Sequence, residues 1–386
     1  MRLIQGHHLA YCTNIHRGES WPETQAALER FTLAVRERVC PGQRYGIGLR
    51  LSARAARELA DPPTLAAFQG WLDRHDCYVF TINGFPYGQF HGERVKEQVY
   101  QPDWTSETRL DYTNCLFDLL AELLPPGEEG SVSTVPGSFK EFITTAGQEK
   151  GMRHNLFRCV EHIARLEEKT GRRLHLGLEP EPLCYLETTS ETVSFFERLR
   201  SEHPRDPRLA RCLGVNYDTC HLAVEFEEPA EALGRLQRHE IKISKLHFSS
   251  ALKARPTPAD RAALAHFAED VYLHQVVART AAGSLIRHRD LAGALASPDE
   301  AEEWRVHFHI PLHCPPTSGF DNTTDHLLGV LDFLAREPGL CAHLEMETYT
   351  WEVMPPALKS RDVVEQLAAE YDWCLGQLRR RALAGG

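Results

Sequence analysis

Short apolar runs alternate with longer amphipathic stretches along most of this chain, which is the signature of repeated βα units. Where apolar residues recur at every second position, strands are predicted near 8–14, 45–52, 77–83, 131–136, 174–181, 213–219, 241–249, 305–312 and 341–348. Between most of them the spacing changes to that of a helix face. Ser20-Trp21-Pro22-Glu23 is a capping box with proline near the helix start, and it opens a helix running to about Val39. Leu156, Val160, Ile163 and Leu166 mark one face of another, which Gly171 ends. Further helices are expected over 106–124, 190–202, 227–238, 324–336 and 361–381.

Nine strands are one more than a (β/α)8 TIM barrel needs, so the pattern also predicts an insertion. The segment 251–304 breaks the rhythm with a helix near 258–270 and a hairpin-like stretch around 272–291. Whether 305–312 belongs to the barrel or to that insertion is left open by alternation alone. Residues 1–386 otherwise read as a single α/β TIM-barrel domain, without a low-complexity tract or linker to divide it. The connection after the third strand, 83–104, is long for a plain loop and carries Phe85, Tyr87, Phe90, Tyr100 and Trp104. It is expected to be a lid over a partly apolar substrate, or else a loop packed permanently on the barrel mouth.

Barrels of this kind draw their functional groups from the C-terminal ends of strands. In Leu213-Gly214-Val215-Asn216-Tyr217-Asp218 the apolar face alternates with a polar one that stops at Asp218, and His221 follows three residues later. The leucines of Leu174-His175-Leu176-Gly177-Leu178 leave Glu179 and Glu181 together on the opposite face. In the same way Leu246 and Phe248 leave His247 on the polar face, and Leu344 and Met346 leave Glu345 and Glu347 there. Several carboxylates buried at one rim are unfavourable unless a cation neutralises them, so a divalent metal is the economical reading. Oxygen ligands with one imidazole suit Mn²⁺, Mg²⁺, Co²⁺ or Zn²⁺. Parity does not rank Glu179 against Glu181, or Glu345 against Glu347. His307 and His309 share a strand face as well, so His309 is open as the nitrogen ligand in place of His247, or as a substrate contact.

Composition narrows the partners. Lys and Arg number 43 against 54 Asp and Glu, a formal charge of −11, with no basic run beyond Arg379-Arg380-Arg381. Nucleic acid and anionic membrane are therefore not expected, and a small-molecule metabolite is. Eleven scattered cysteines without a Cys-x-x-Cys pair point to reduced thiols. With no signal-like or membrane-spanning apolar run, the expected compartment is the cytoplasm.

Leu178-Glu179-Pro180, Asp218-Thr219-Cys220-His221, Leu246-His247 and a glutamate on the last strand together resemble the xylose-isomerase-like barrels that include the sugar epimerases. The resemblance implies Glu179, Asp218, His247 and Glu347 as metal ligands, His221 as a substrate contact, and Glu179 and Glu347 as the acid and base of a proton transfer. An arginine often lies six residues after the histidine ligand in the epimerases, and Lys253 stands there in this chain as a candidate substrate contact beside Glu181 and His309. Four runs also resemble the EboE family of metabolite-traffic barrels: Leu9-Ala10-Tyr11-Cys12-Thr13-Asn14-Ile15-His16, Thr81-Ile82-Asn83-Gly84-Phe85-Pro86-Tyr87-Gly88, Tyr100-Gln101-Pro102-Asp103-Trp104 and Glu347-Thr348-Tyr349-Thr350-Trp351. That likeness implies work on a secondary-metabolite precursor, with other proteins of the same bacterial gene cluster as partners. A barrel that binds or hands on a metabolite without chemistry is the alternative it carries.

Overall fold

The structure, a computed structural model, describes every residue except 93, 317–319, 357–358, 360 and 386. Seven parallel strands follow one another: β1 (His8–Tyr11), β2 (Tyr45–Arg50), β3 (Cys77–Asn83), β4 (Glu129–Thr134), β5 (Arg173–Leu178), β6 (Leu213–Asp218) and β7 (Lys242–Phe248). The chain then detours through β8 (Leu252–Ala254), β9 (Val276–Arg279), β10 (Leu285–His288), β11 (Glu303–Val306) and β12 (Asp321–Asn322). It returns as β13 (His343–Met346), which pairs in parallel with both β7 and β1. A parallel bridge between Cys12 and Gly48 then joins the first strand's end to β2, so the eight strands form a nearly closed barrel.

Helices wrap this ring where the amphipathic pattern puts them. Trp21 to Val39 is helical throughout, opened by the Ser20–Glu23 capping box, and Ala146–Thr170 ends on Gly171 in the left-handed conformation at φ 69°. Two helices between β2 and β3, Ala53–Leu59 and Pro62–Arg74, are additional to those expected. Each starts on a side-chain cap, Ser52 or Asp61, in a segment too short and interrupted for periodicity to resolve.

The barrel interior is polar, and its inward residues bond across the ring. His175 on β5 reaches Ser244 on β7 (2.5 Å), His343 on β13 reaches Ser131 on β4 (2.7 Å), and Lys245 on β7 reaches Ser133 on β4 (3.1 Å). The apolar side chains of alternate register, among them Leu174, Leu176, Leu246 and Leu344, are fully buried in the main hydrophobic core.

The detour forms a second, five-stranded antiparallel sheet in the order β10-β9-β11-β8-β12, with its own apolar cluster around Phe267, Val276, Trp304 and Phe308. This settles the ninth predicted strand. Its first residues, Arg305 and Val306, pair antiparallel with β8 and β9, and the inserted sheet runs on to Asn322 rather than ending at 304. Beyond Val306 the chain leaves the sheet and returns toward the barrel mouth, where Ile310 N donates to Ser250 O (2.9 Å).

Candidate metal centre and cleft

β6 ends in Asp218, whose carboxylate does two things. Oδ1 caps the short helix Thr219–Val224 by accepting from His221 N (3.0 Å) and also accepts from Ser249 Oγ (2.6 Å). Oδ2 is wholly buried and has no hydrogen-bond partner among the described residues. It lies 3.6 Å from Nδ1 of His247, on the neighbouring strand β7. The chain just past β5 brings Glu179 Oε1 to 2.9 Å from the same nitrogen, and the chain past β13 brings Glu347 Oε2 to 3.3 Å. One donor atom each from Glu179, Asp218, His247 and Glu347 falls within 4.8 Å of the others, and all four residues are buried.

Three carboxylates in such a space are tolerable only with positive charge among them. Burial alone would depress the imidazole of His247, but Glu347 and Glu179 raise its pKa well above the ordinary range. Burial likewise opposes ionisation of Asp218, and the imidazoles of His221 and His247 more than offset it. An orphaned buried carboxylate oxygen, two further carboxylates and one imidazole nitrogen make a donor set that fits a divalent cation such as Mn²⁺, Mg²⁺, Co²⁺ or Zn²⁺.

The two same-face pairs separate by depth. Glu345, still within β13, lies behind His247 rather than beside the cluster: its Oε2 is 2.7 Å from His247 Nε2 and 2.7 Å from Lys245 Nζ. Burial opposes its ionisation, yet Lys245 and His247 bring the carboxyl down to about 2. Glu347 is at the rim, its Oε1 held by Asn14 Nδ2 (2.7 Å) and Asn83 Nδ2 (3.4 Å). Glu181, past Glu179, accepts at Oε1 from the Tyr100 hydroxyl (2.5 Å), while its Oε2 is buried without a partner among the described residues. Burial pushes this carboxyl up to about 7.

His221, His307 and His309 form a second layer at the mouth. His221 Nε2 is 3.4 Å from His309 Nε2, and His309 Nδ1 donates to Glu347 O (3.0 Å). His247, not His309, therefore faces all three carboxylates, and His309 is the neighbour of His221 and Glu347. Lys253 is not brought to the site. After Phe248 the chain leaves the ring as β8, and the Lys253 ammonium lies 3.2 Å from Asp325 Oδ2, outside the cleft. Six residues of spacing carry no register once the strand has ended, so the position that follows His247 by six points away from the cleft lining.

A small cleft of about 50 Å³ opens above Glu179, Glu181, His221 and Glu347. The 83–104 loop covers it, apart from residue 93, which lies outside the described residues. Arg109 clamps the loop's two ends, donating to Gly84 O (2.8 Å) and Pro102 O (2.7 Å), and Val95 N donates to Val271 O of the insertion (3.0 Å). Tyr100 belongs to the loop expected over the mouth, whereas Asn14, Lys245 and Asn83 were not singled out by sequence as site groups. Lys245 alone carried a usable sign, a lysine on the polar face of a strand that points inward.

No protein-family model matches the chain, and neither does any curated protein sequence. Solved structures do. An L-ribulose 3-epimerase matches with a TM-score of 0.52 at 13% identity, over 97% of this chain and 96% of that one. A xylose isomerase-like TIM barrel protein from Mycobacterium smegmatis in complex with magnesium matches at 0.51 and 14%, over 99% of each. The fold is a xylose-isomerase-like TIM barrel. The probable 3-DHS dehydratase AsbF from Bacillus anthracis, involved in petrobactin synthesis, has a TM-score of 0.50 at 14% identity, over 95% of this chain and 98% of that one. At these identities the likeness concerns architecture. All eleven cysteines are unpaired, and no described helix is long and apolar enough to cross a membrane.

Proposed function

We propose that this chain is a divalent-metal-dependent enzyme of the isomerase or epimerase type, which moves a proton at a carbon beside a carbonyl in a small oxygen-bearing metabolite. The observation that carries the reading is the meeting of Glu179, Asp218, His247 and Glu347, from four strand ends, within 4.8 Å, with one Asp218 oxygen unpartnered among the described residues. A cation held there supplies Lewis-acid polarisation of the carbonyl and offsets the negative charge that develops when the neighbouring carbon loses its proton.

The protein's own groups do the rest. Glu179 and Glu347 approach from strands separated by two others, so they present carboxylate oxygens to a substrate from two directions, one taking a proton and the other returning it. Asn14 and Asn83 hold one oxygen of Glu347 and leave the other toward the cluster. His221, Glu181 and His309 bind the substrate's further oxygens, and the 83–104 loop acts as a lid that excludes water while the carbanion exists. Among the neighbours in fold, one is named an epimerase and one a probable dehydratase, and loss of a proton next to a carbonyl opens either chemistry.

The finer assignment, to the EboE family, the handling of a secondary-metabolite precursor and partners from the same gene cluster, rests on the four sequence runs. The same runs support the second reading, a carrier that binds its metabolite without chemistry. Incubating the metal-loaded protein with candidate hydroxyketones in deuterated water separates the two. Incorporation of deuterium at carbon, lost in Glu179→Gln, is expected of the enzyme; tight binding without exchange would establish the carrier.

A further inference from the structure

His221, His307 and His309 each have one ring nitrogen tied to a carbonyl oxygen and the other left over. His221 Nδ1 donates to Pro180 O (3.1 Å) and His309 Nδ1 to Glu347 O (3.0 Å). Gln275 settles the third ring. Its Nε2 donates to Pro182 O (3.0 Å) and to the Tyr100 hydroxyl (2.9 Å), so its Oε1 can only accept, from His307 Nδ1 (2.7 Å). In the neutral rings all three Nε2 atoms therefore carry a lone pair, and all three residues are buried. That of His307 has no hydrogen-bond partner among the described residues. Those of His221 and His309 face each other at 3.4 Å.

Two buried lone pairs at that distance repel unless positive charge lies between them. A proton on one ring would serve that pair alone and leave His307 Nε2 orphaned, whereas a cation has coordination positions for more than two nitrogens. A separation of about 3.4 Å is also the ligand-to-ligand edge of a tetrahedral zinc ion with bonds of about 2.1 Å. Metal-bound histidines characteristically donate their other ring N–H to a carbonyl or carboxylate, as these rings do. Asp218 stands next to them, with Oδ1 3.9 Å from His221 Nε2 and Oδ2 3.6 Å from His247 Nδ1. Donor atoms of Asp218, His221 and His309 lie within 4.8 Å of one another, and a donor atom of His307 comes within the same distance of His221 and of His309.

Resting on the reading of the four-residue cluster at Asp218 as a cation site, we infer that the mouth holds a second one, for a zinc-type ion, with Nε2 of His221 and His309 as ligands, His307 as the third nitrogen in reach, and Asp218 between the two ions. The inserted sheet makes this site: Gln275 immediately precedes β9, and the chain leaving β11 carries His307 and His309 to the mouth, pinned there by Ile310 N to Ser250 O (2.9 Å). Its nitrogen ligands favour Zn²⁺ or Co²⁺ over Mg²⁺, whereas the carboxylate-rich first site takes any of the divalent ions. With fewer carboxylates it binds more weakly, and it fills after the first site, when zinc is supplied. The substrate oxygens that the proposed function gives to His221 and His309 then reach them through this ion.

The test uses the full chain carrying its first ion, dialysed to equilibrium against Zn²⁺, Co²⁺ or Mg²⁺ alone, with stoichiometry read by elemental analysis and coordination by the visible absorption of Co²⁺. The wild type is expected to rise from one ion per chain to two with zinc or cobalt, to stay at one with magnesium, and to show the intense bands of tetrahedral cobalt. His309→Ala and, separately, His221→Gln should hold the count at one, with the first ion and the circular dichroism retained. A wild type that stays at one in zinc, or a second ion that persists in both variants, would overturn this inference and leave the proposed function standing, with a proton shared by the two rings in place of the cation. A wild type that binds no ion at all would overturn both.

Discussion

Nε2 of His247 and Oε2 of Glu345 lie 2.7 Å apart in the fully buried floor of the barrel. That contact fixes which nitrogen of the imidazole is free to act. With Nε2–H directed at Glu345, Nδ1 faces Glu179, Asp218 and Glu347 and is the atom a cation would take. Lys245, 2.7 Å from the same oxygen, keeps Glu345 ionised, so the pair acts on the metal through the histidine.

Glu345→Gln is therefore expected to weaken metal binding by roughly 10- to 100-fold without loss of the fold, read by competition with a chelator of known affinity. Lys245→Met strands the buried carboxylate and should cost about 3 to 5 kcal/mol of stability, whereas combining both changes should cost less than their sum. Additive losses would show that the pair is not coupled.

Gly48 makes room for this arrangement. A Cβ on Gly48 would lie 1.8 Å from Glu345 Oε1 and 2.8 Å from Tyr11 O, so no larger residue fits while Glu345 stays where it is. Gly48→Ala should displace the Glu345 carboxylate and lower metal affinity in the same direction as Glu345→Gln. Unchanged affinity would mean that His247 needs no support from behind.

A second buried carboxyl gives a pH signature. Glu370, on the helix Val363–Arg380, accepts from Leu312 N (3.0 Å) and Thr348 Oγ1 (2.8 Å), and burial raises it to about 7 from 4.5. Because the folded pKa lies above the unfolded one, its stabilising contribution is complete below pH 4.5 and is lost as pH rises to 7. Glu370→Gln keeps an acceptor and removes the ionisation. Relative to wild type it should gain about 3 kcal/mol between pH 4.5 and pH 8 in denaturant unfolding. A pH-independent difference would remove Glu370 from the account.

Deleting Phe85 to Phe90 asks whether the covering loop is a lid. Metal content should persist, because the four candidate ligands lie on the ring, while substrate affinity and turnover should fall. Unchanged ligand affinity in a folded variant would count against it.

Much of this arrangement was legible in the chain, for one physical reason: a strand's period of two assigns faces. Alternation put Glu179, Glu181, His247, Glu345 and Glu347 on inward faces, and each is found there or just beyond the strand's end. Depth is what alternation lacks. Glu345 and Glu347 share a face yet differ by about 7 Å along the strand, enough to put one behind His247 and the other beside it. Nor does alternation say which sheet a strand joins, so 305–312 read equally well as barrel or insertion, and only its first two residues are in a strand, in the inserted sheet. Lys253 lies away from the cleft because the chain turns into another sheet past the end of β7. The lysine behind the histidine became intelligible only once β7 and β13 were seen side by side.

The central claim is that Glu179, Asp218, His247 and Glu347 share one divalent ion. Elemental analysis of tag-free protein and of its Asp218→Asn variant tests it most directly. One ion per chain is expected in the wild type and a near-complete loss in a variant with unchanged circular dichroism, whereas full occupancy in the folded variant would contradict the shared site.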